Sequence, residues 1–141
     1  TYGCNGILAL GNSYSGWPCH GIEHALSAYY DITHGEGLAI ITPRWMRHIL
    51  SERTMDRFVK YGINVFGIDP TLPKQEIAGK AIDATYEFFE SINIPMHLRE
   101  VGIDDSRIDE MAHHIAVNEG LDKAYVPLTE QDIKEILLES L

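Results

Sequence analysis

Three of the seven histidines fall within fifteen residues of one another, at His20, His24 and His34. His20 and His24 stand four apart, so on a helix their rings share one face, one turn apart. Imidazole is a common ligand for divalent transition metals. A histidine pair at this spacing also occurs on ordinary helix surfaces, and two or three imidazoles alone leave a metal site incomplete. The same stretch, His20-Gly21-Ile22-Glu23-His24, matches H-x-x-E-H. That pattern allows a zinc peptidase in which His20 and His24 hold zinc and Glu23 is general base. The absence of strand patterns weighs against it. Cys19 beside His20 gives no thiolate dyad, because adjacent helical residues point in different directions. It reads as a packed thiol.

For His34 to join His20 the chain must break between them. On one straight helix fourteen residues span about 21 Å, beyond the reach of one cation. Asp31-Ile32-Thr33 is where the break can fall. Asp31 reads as a cap or solvated carboxylate at that junction. Thr33 with Glu36 three residues later is a capping-box signature, which opens a second helix with His34 in its first turn. There the helix dipole favours the neutral, ligating imidazole. Pro18 suits the first position of the preceding helix, expected over about Trp17 to Tyr30. Gly35 to Leu50 is apolar nearly all round and predicts a buried helix, kinked near Pro43.

The remaining chain repeats the 3.6-residue period. Met55, Phe58, Val59, Gly62, Ile63 and Phe66 form one stripe. Ile77, Ala81, Phe88, Phe89 and Ile92 form the next, over about Lys74 to Ser91. Ile108, Met111, Ala112, Ile115 and Ala116 form a third, ending near Gly120. Thr129 reads as the N-cap of the last helix, with Asp132 at N3 and Leu128 stapled against Ile133. Thr1 to Asn12 reads as the frayed end of an apolar helix, followed by a turn to Gly16. His48, His97, His113 and His114 lack partner spacing. No segment alternates like a strand, so the expected fold is all-α, a bundle of about six to seven helices.

Composition narrows the function. The chain has 141 residues, 45% hydrophobic and 23% charged, with a net charge of -10. One domain with a real core is expected. The negative charge argues against a nucleic-acid or anionic-membrane partner. No apolar run is long enough for a membrane span. Two cysteines are too few for a disulfide framework, so a reducing, cytoplasmic setting is expected. No dinucleotide-binding or Walker glycine loop and no Ser-His-Asp set is recognisable.

Cys19-His20-Gly21-Ile22-Glu23-His24-Ala25-Leu26-Ser27-Ala28, then Asp31-Ile32-Thr33-His34-Gly35, then Leu38-Ala39-Ile40 and Pro43 resemble the metal-site segment of iron-containing (group III) alcohol dehydrogenases, in their butanol dehydrogenase branch. The similarity continues through Leu98-Arg99-Glu100-Val101-Gly102-Ile103 and Pro127-Leu128-Thr129. It implies that residues 1–141 are the C-terminal helical domain of an enzyme whose N-terminal domain binds NAD or NADP. It implies a divalent metal, iron above zinc, held by an earlier aspartate–histidine pair together with His20 and His34. It places His24 beside substrate and nicotinamide, as a proton relay or positioning group, with Trp17 and Tyr30 as candidate pocket walls. The implied substrate is a small primary alcohol or its aldehyde, with a homodimer among the assemblies left open. The nucleotide domain and the aspartate–histidine pair have no counterpart in this sequence, so the 141-residue chain alone is expected to show no alcohol-dependent NAD(P) reduction. The competing reading from another class is a non-catalytic helical module.

Overall fold

The computed structural model describes residues 16–141. The helix and most of the turn expected before Gly16 lie outside the described residues. The described chain is six α-helices: α1 (Pro18–Tyr30), α2 (His34–His48), α3 (Met55–Phe66), α4 (Lys74–Ser91), α5 (Ile108–Asn118) and α6 (Glu130–Glu139). Three short 3₁₀ turns, Leu98–Val101, Asp105–Arg107 and Leu121–Lys123, join the later helices, and no strand occurs among the described residues. The all-α expectation therefore holds.

Helix starts follow the local chemistry. Pro18 occupies the first turn of α1, where its missing N–H costs nothing. At α6 the Thr129 side chain accepts from the Asp132 backbone N–H, and the Asp132 carboxylate accepts from the Thr129 N–H at 2.7 Å. This is the expected reciprocal capping box. The start of α2 differs. Thr33 has the extended backbone of an N-cap but makes no side-chain cap hydrogen bond; Glu36 and Gly37 N–H donate to its carbonyl instead, at 3.0 and 3.1 Å. The helix begins where the signature put it, without the expected box.

Pro43 does not end α2, which remains helical to His48. Beside it the Thr42 hydroxyl donates to the Leu38 carbonyl at 2.6 Å, and the Arg44 guanidinium to the Ile40 carbonyl at 3.1 Å. These bonds fall on the carbonyls either side of Ala39, whose own helical donor Pro43 lacks.

The helices pack as neighbours in sequence, α1 on α2, α3 on α4 and α5 on α6, while α2 also touches α4 and α6. One core joins Ile22 and Leu26 of α1, Ile40 and Ile41 of α2, Phe58 of α3, Ile82 of α4, Met111 and Ile115 of α5, and Ile133, Ile136 and Leu137 of α6. Burying these apolar side chains holds the bundle together. The end of α4 departs from its stripe: Phe88 is 53% exposed and Ile92 52% exposed. Periodicity names a face but not what covers it. α2 is the central element, and its first residue is His34.

Candidate metal centre

The α1–α2 junction brings the three histidines together. Asp31 caps α1 in the left-handed conformation, φ 54°, with its N–H donating to the Ser27 carbonyl at 2.9 Å. This reversal is one that an L-residue other than Asn, Asp or Gly seldom adopts. Residues 31–33 then carry the chain back along α1, so that α2 opens beside His20 and His24 instead of a helix length beyond them. Asp31 is exposed and acts as the cap.

The His20 and His34 ring centroids lie 5.3 Å apart. His24 lies 6.1 Å from His20 and 5.9 Å from His34, nearly parallel to the latter. Two imidazoles sharing one cation, each with its nitrogen at about 2.0–2.1 Å, place their ring centroids about 4.5–5.3 Å apart at coordination angles near 90–110°. The His20–His34 pair meets that spacing, whereas the helical neighbours His20 and His24 stand wider. These residues fit a divalent transition metal as two of its donors. Trp17, exposed, lies edge-on to His20 at 5.4 Å. Of the two expected pocket walls, Tyr30 packs against the core and Trp17 makes a ring contact with His20.

Two carboxylates reach the cluster, one from α1 and one from the end of α5. The Glu23 side chain is 0% exposed, with one carboxylate oxygen accepting from Ser27 Oγ and the other against His34 Nδ1. Gly37 of α2 faces it, and a Cβ there would lie 2.7 Å from Glu23 Cγ. His24 Nδ1 lies 3.4 Å from Glu119 Oε2, at the C-terminal end of α5. Gly21 lets α1 approach that residue, since a Cβ would meet Glu119 Cβ at 2.9 Å. Sequence reading missed Ser27, Gly37 and Glu119. The Glu23–Ser27 spacing of four was visible; the other two depend on contacts between helices.

This arrangement overturns the peptidase reading. A general base needs an oxygen free to take a proton from water. Both Glu23 oxygens are committed, in a site with no exposure. Cys19 is a protonated thiol: burial pushes it up to about 11, against a weaker opposing hydrogen bond from Thr42. It takes no part as a thiolate.

Among the described residues, the one group of three metal-type side chains with ligand atoms within 4.8 Å of each other is His48, Asp132 and Glu135. It sits at the opposite end of α2 from His34. There the His48 Nε2–Asp132 Oδ1 contact, at 3.1 Å, links α2 to the first turn of α6. His113 likewise pairs with Glu130 at 3.0 Å, so two histidines without partner spacing have tertiary partners.

Over residues 3–141 the sequence matches the C-terminal part of the Fe-containing alcohol dehydrogenase family. The chain belongs to this family. It is 49% identical over 137 residues to NADH-dependent butanol dehydrogenase A of Clostridium acetobutylicum, covering 96% of this chain and 35% of that protein. It is 31% identical over 109 residues to the NADPH-dependent aldehyde reductase YqhD of Escherichia coli, covering 77% of this chain and 27% of that protein. The crystal structure of NADH-dependent butanol dehydrogenase A from Thermotoga maritima superposes with a TM-score of 0.84 at 31% identity, over 99% of this chain and 36% of that one. This member of the family thus spans about a third of the length of such relatives. No helix among its described residues is long and apolar enough to cross a membrane.

Proposed function

We propose that this chain is the helical metal-holding domain of a cytoplasmic, NAD(P)-dependent alcohol dehydrogenase that interconverts small primary alcohols and aldehydes. His20 and His34 are two of the metal's protein ligands, and Fe(II) is the expected ion, with Zn(II) suited to the same donors. The observation that carries the reading is the 5.3 Å approach of His20 and His34 across the α1–α2 reversal, in a chain of this family. The butanol dehydrogenase and aldehyde reductase names of relatives support the substrate class. The NADH and NADPH in those names leave both nicotinamide cofactors open.

When bound, the metal supplies Lewis acidity at the substrate oxygen and the nicotinamide supplies hydride chemistry. The chain's own residues orient and move protons. His24, 54% exposed at its side chain, turns Nδ1 toward Glu119, which leaves Nε2 to take or deliver the hydroxyl proton. Trp17 presents an exposed indole beside His20, suited to the hydrocarbon part of a small alcohol.

Metal content and turnover of three single variants of the full-length gene product test the assignment. His20→Ala and His34→Ala are expected to lose metal and activity together. His24→Ala is expected to keep the metal and lose about 10²–10⁴-fold in rate, the usual loss for a positioned acid–base group. Metal lost from His24→Ala but retained in His34→Ala would refute the assignment.

A further inference from the structure

We propose that Glu23 is a positioning residue for the metal centre: it fixes His34 in the tautomer that carries its proton on Nδ1 and offers Nε2 to the cation. The proposal rests on the reading of His34 as a metal ligand. A neutral imidazole has one N–H and one lone pair, and whichever nitrogen meets an acceptor carries the proton. His34 Nδ1 meets Glu23 Oε2. A carboxylate oxygen accepts, so Nδ1 donates and the lone pair is left on Nε2. Carboxylates behind ligating histidines set ring orientation and raise ligand basicity in this way.

The surroundings hold Glu23 for that task. Its side chain has no solvent exposure, while His34 is 49% exposed on the other side of the contact. The second carboxylate oxygen accepts from Ser27 Oγ, one turn further along α1, so the carboxylate is gripped at both oxygens. Gly37, one turn into α2, leaves the space that the Glu23 stem fills. A buried carboxylate without partners is costly, and one that serves only packing is readily replaced by an apolar residue. This carboxylate instead spans from α1 to the first residue of α2, the residue whose orientation the metal requires.

The test uses Glu23→Ala, Glu23→Gln and His34→Ala in the full-length gene product. Zn(II) affinity is read by chelator competition, the His34 tautomer by side-chain ¹⁵N NMR in the metal-free protein, and the fold by thermal melting. Glu23→Ala is expected to weaken Zn(II) binding about 10–100-fold and to leave His34 a mixture of tautomers. Glu23→Gln retains one acceptor oxygen of similar reach and is expected to fall between Glu23→Ala and the unaltered protein; it also carries the test if the alanine variant does not fold. A role in stability alone would lower the melting temperature and leave affinity and tautomer unchanged, and that result overturns the proposal. If His34→Ala binds Zn(II) as tightly as the unaltered protein, the ligand assignment itself fails. If His34→Ala loses the metal while Glu23→Gln and Glu23→Ala keep both full affinity and a single tautomer, only the role of Glu23 fails.

Discussion

Replacing Gly37 with alanine tests the packing between α1 and α2 directly. An added Cβ would stand 2.7 Å from Glu23 Cγ, 3.1 Å from Glu23 Oε1 and 3.1 Å from Ile32 Cδ1. Glu23 cannot swing aside cheaply, because it is buried and held at both oxygens. Overpacking of this kind costs about 1–3 kcal/mol. Against it stands the helix propensity of alanine over glycine, about 0.8–1.0 kcal/mol. Gly79, in the middle of α4, is the matched control: nothing lies within 4 Å of a Cβ there. Gly79→Ala gains the propensity without the clash, so it is expected to stabilise by about 1 kcal/mol. The propensity term cancels between the two variants, and Gly37→Ala is expected to be the less stable by about 1–3 kcal/mol. For a chain of this size that separates the melting temperatures by roughly 3–10 °C. Urea unfolding followed by circular dichroism measures both. If Gly37→Ala gains stability as Gly79→Ala does, the close approach of α2 to Glu23 is wrong.

Other outcomes follow from single contacts. Thr129→Ala removes half of the α6 capping box and is expected to cost about 1 kcal/mol in the same urea assay, whereas a change within error would mean the box contributes nothing. Burial raises the Asp132 carboxyl, but hydrogen bonds from Thr129 and His48 outweigh it and hold the group below its ordinary value. Its contribution is therefore complete above the ordinary carboxylate range and lost as pH falls through the folded value below that range. Asp132→Asn should flatten the loss of stability in acid, measured as urea midpoint against pH, and an unchanged slope would contradict this. With its thiol pushed up to about 11, Cys19 should react slowly with a disulfide reagent at pH 8 and much faster in urea. Equal native and unfolded rates at that residue would show an unhindered thiol.

Much of the bundle is written locally. The pattern and capping chemistry of Pro18, Thr129 and Asp132 name helix starts because a cap acts within one turn. α4 spans Lys74–Ser91, as its stripe predicts. The break at Asp31-Ile32-Thr33 is legible because His20 and His34 cannot meet on one helix, and the backbone reverses there at Asp31. The family resemblance, carried by the histidine spacing and the residues around it, agrees with the match over residues 3–141. Spacing alone left the His20–His24 pair and the His20–His34 pair both open. In the structure the ring centroids stand 6.1 Å apart in the first pair, set by a turn of helix, and 5.3 Å apart in the second, set by the path of residues 31–33. The fate of Glu23 was not legible. H-x-x-E-H admits a solvent-facing base, and only the packing of α2 through Gly37 decides that the carboxylate is buried against His34. Glu119 at His24 and Asp132 at His48 join residues 95 and 84 positions apart. Such pairs arise from how whole helices dock, and no local pattern encodes them. The same holds for Phe88 and Ile92: periodicity placed them on an apolar face, and tertiary packing left that end of α4 uncovered.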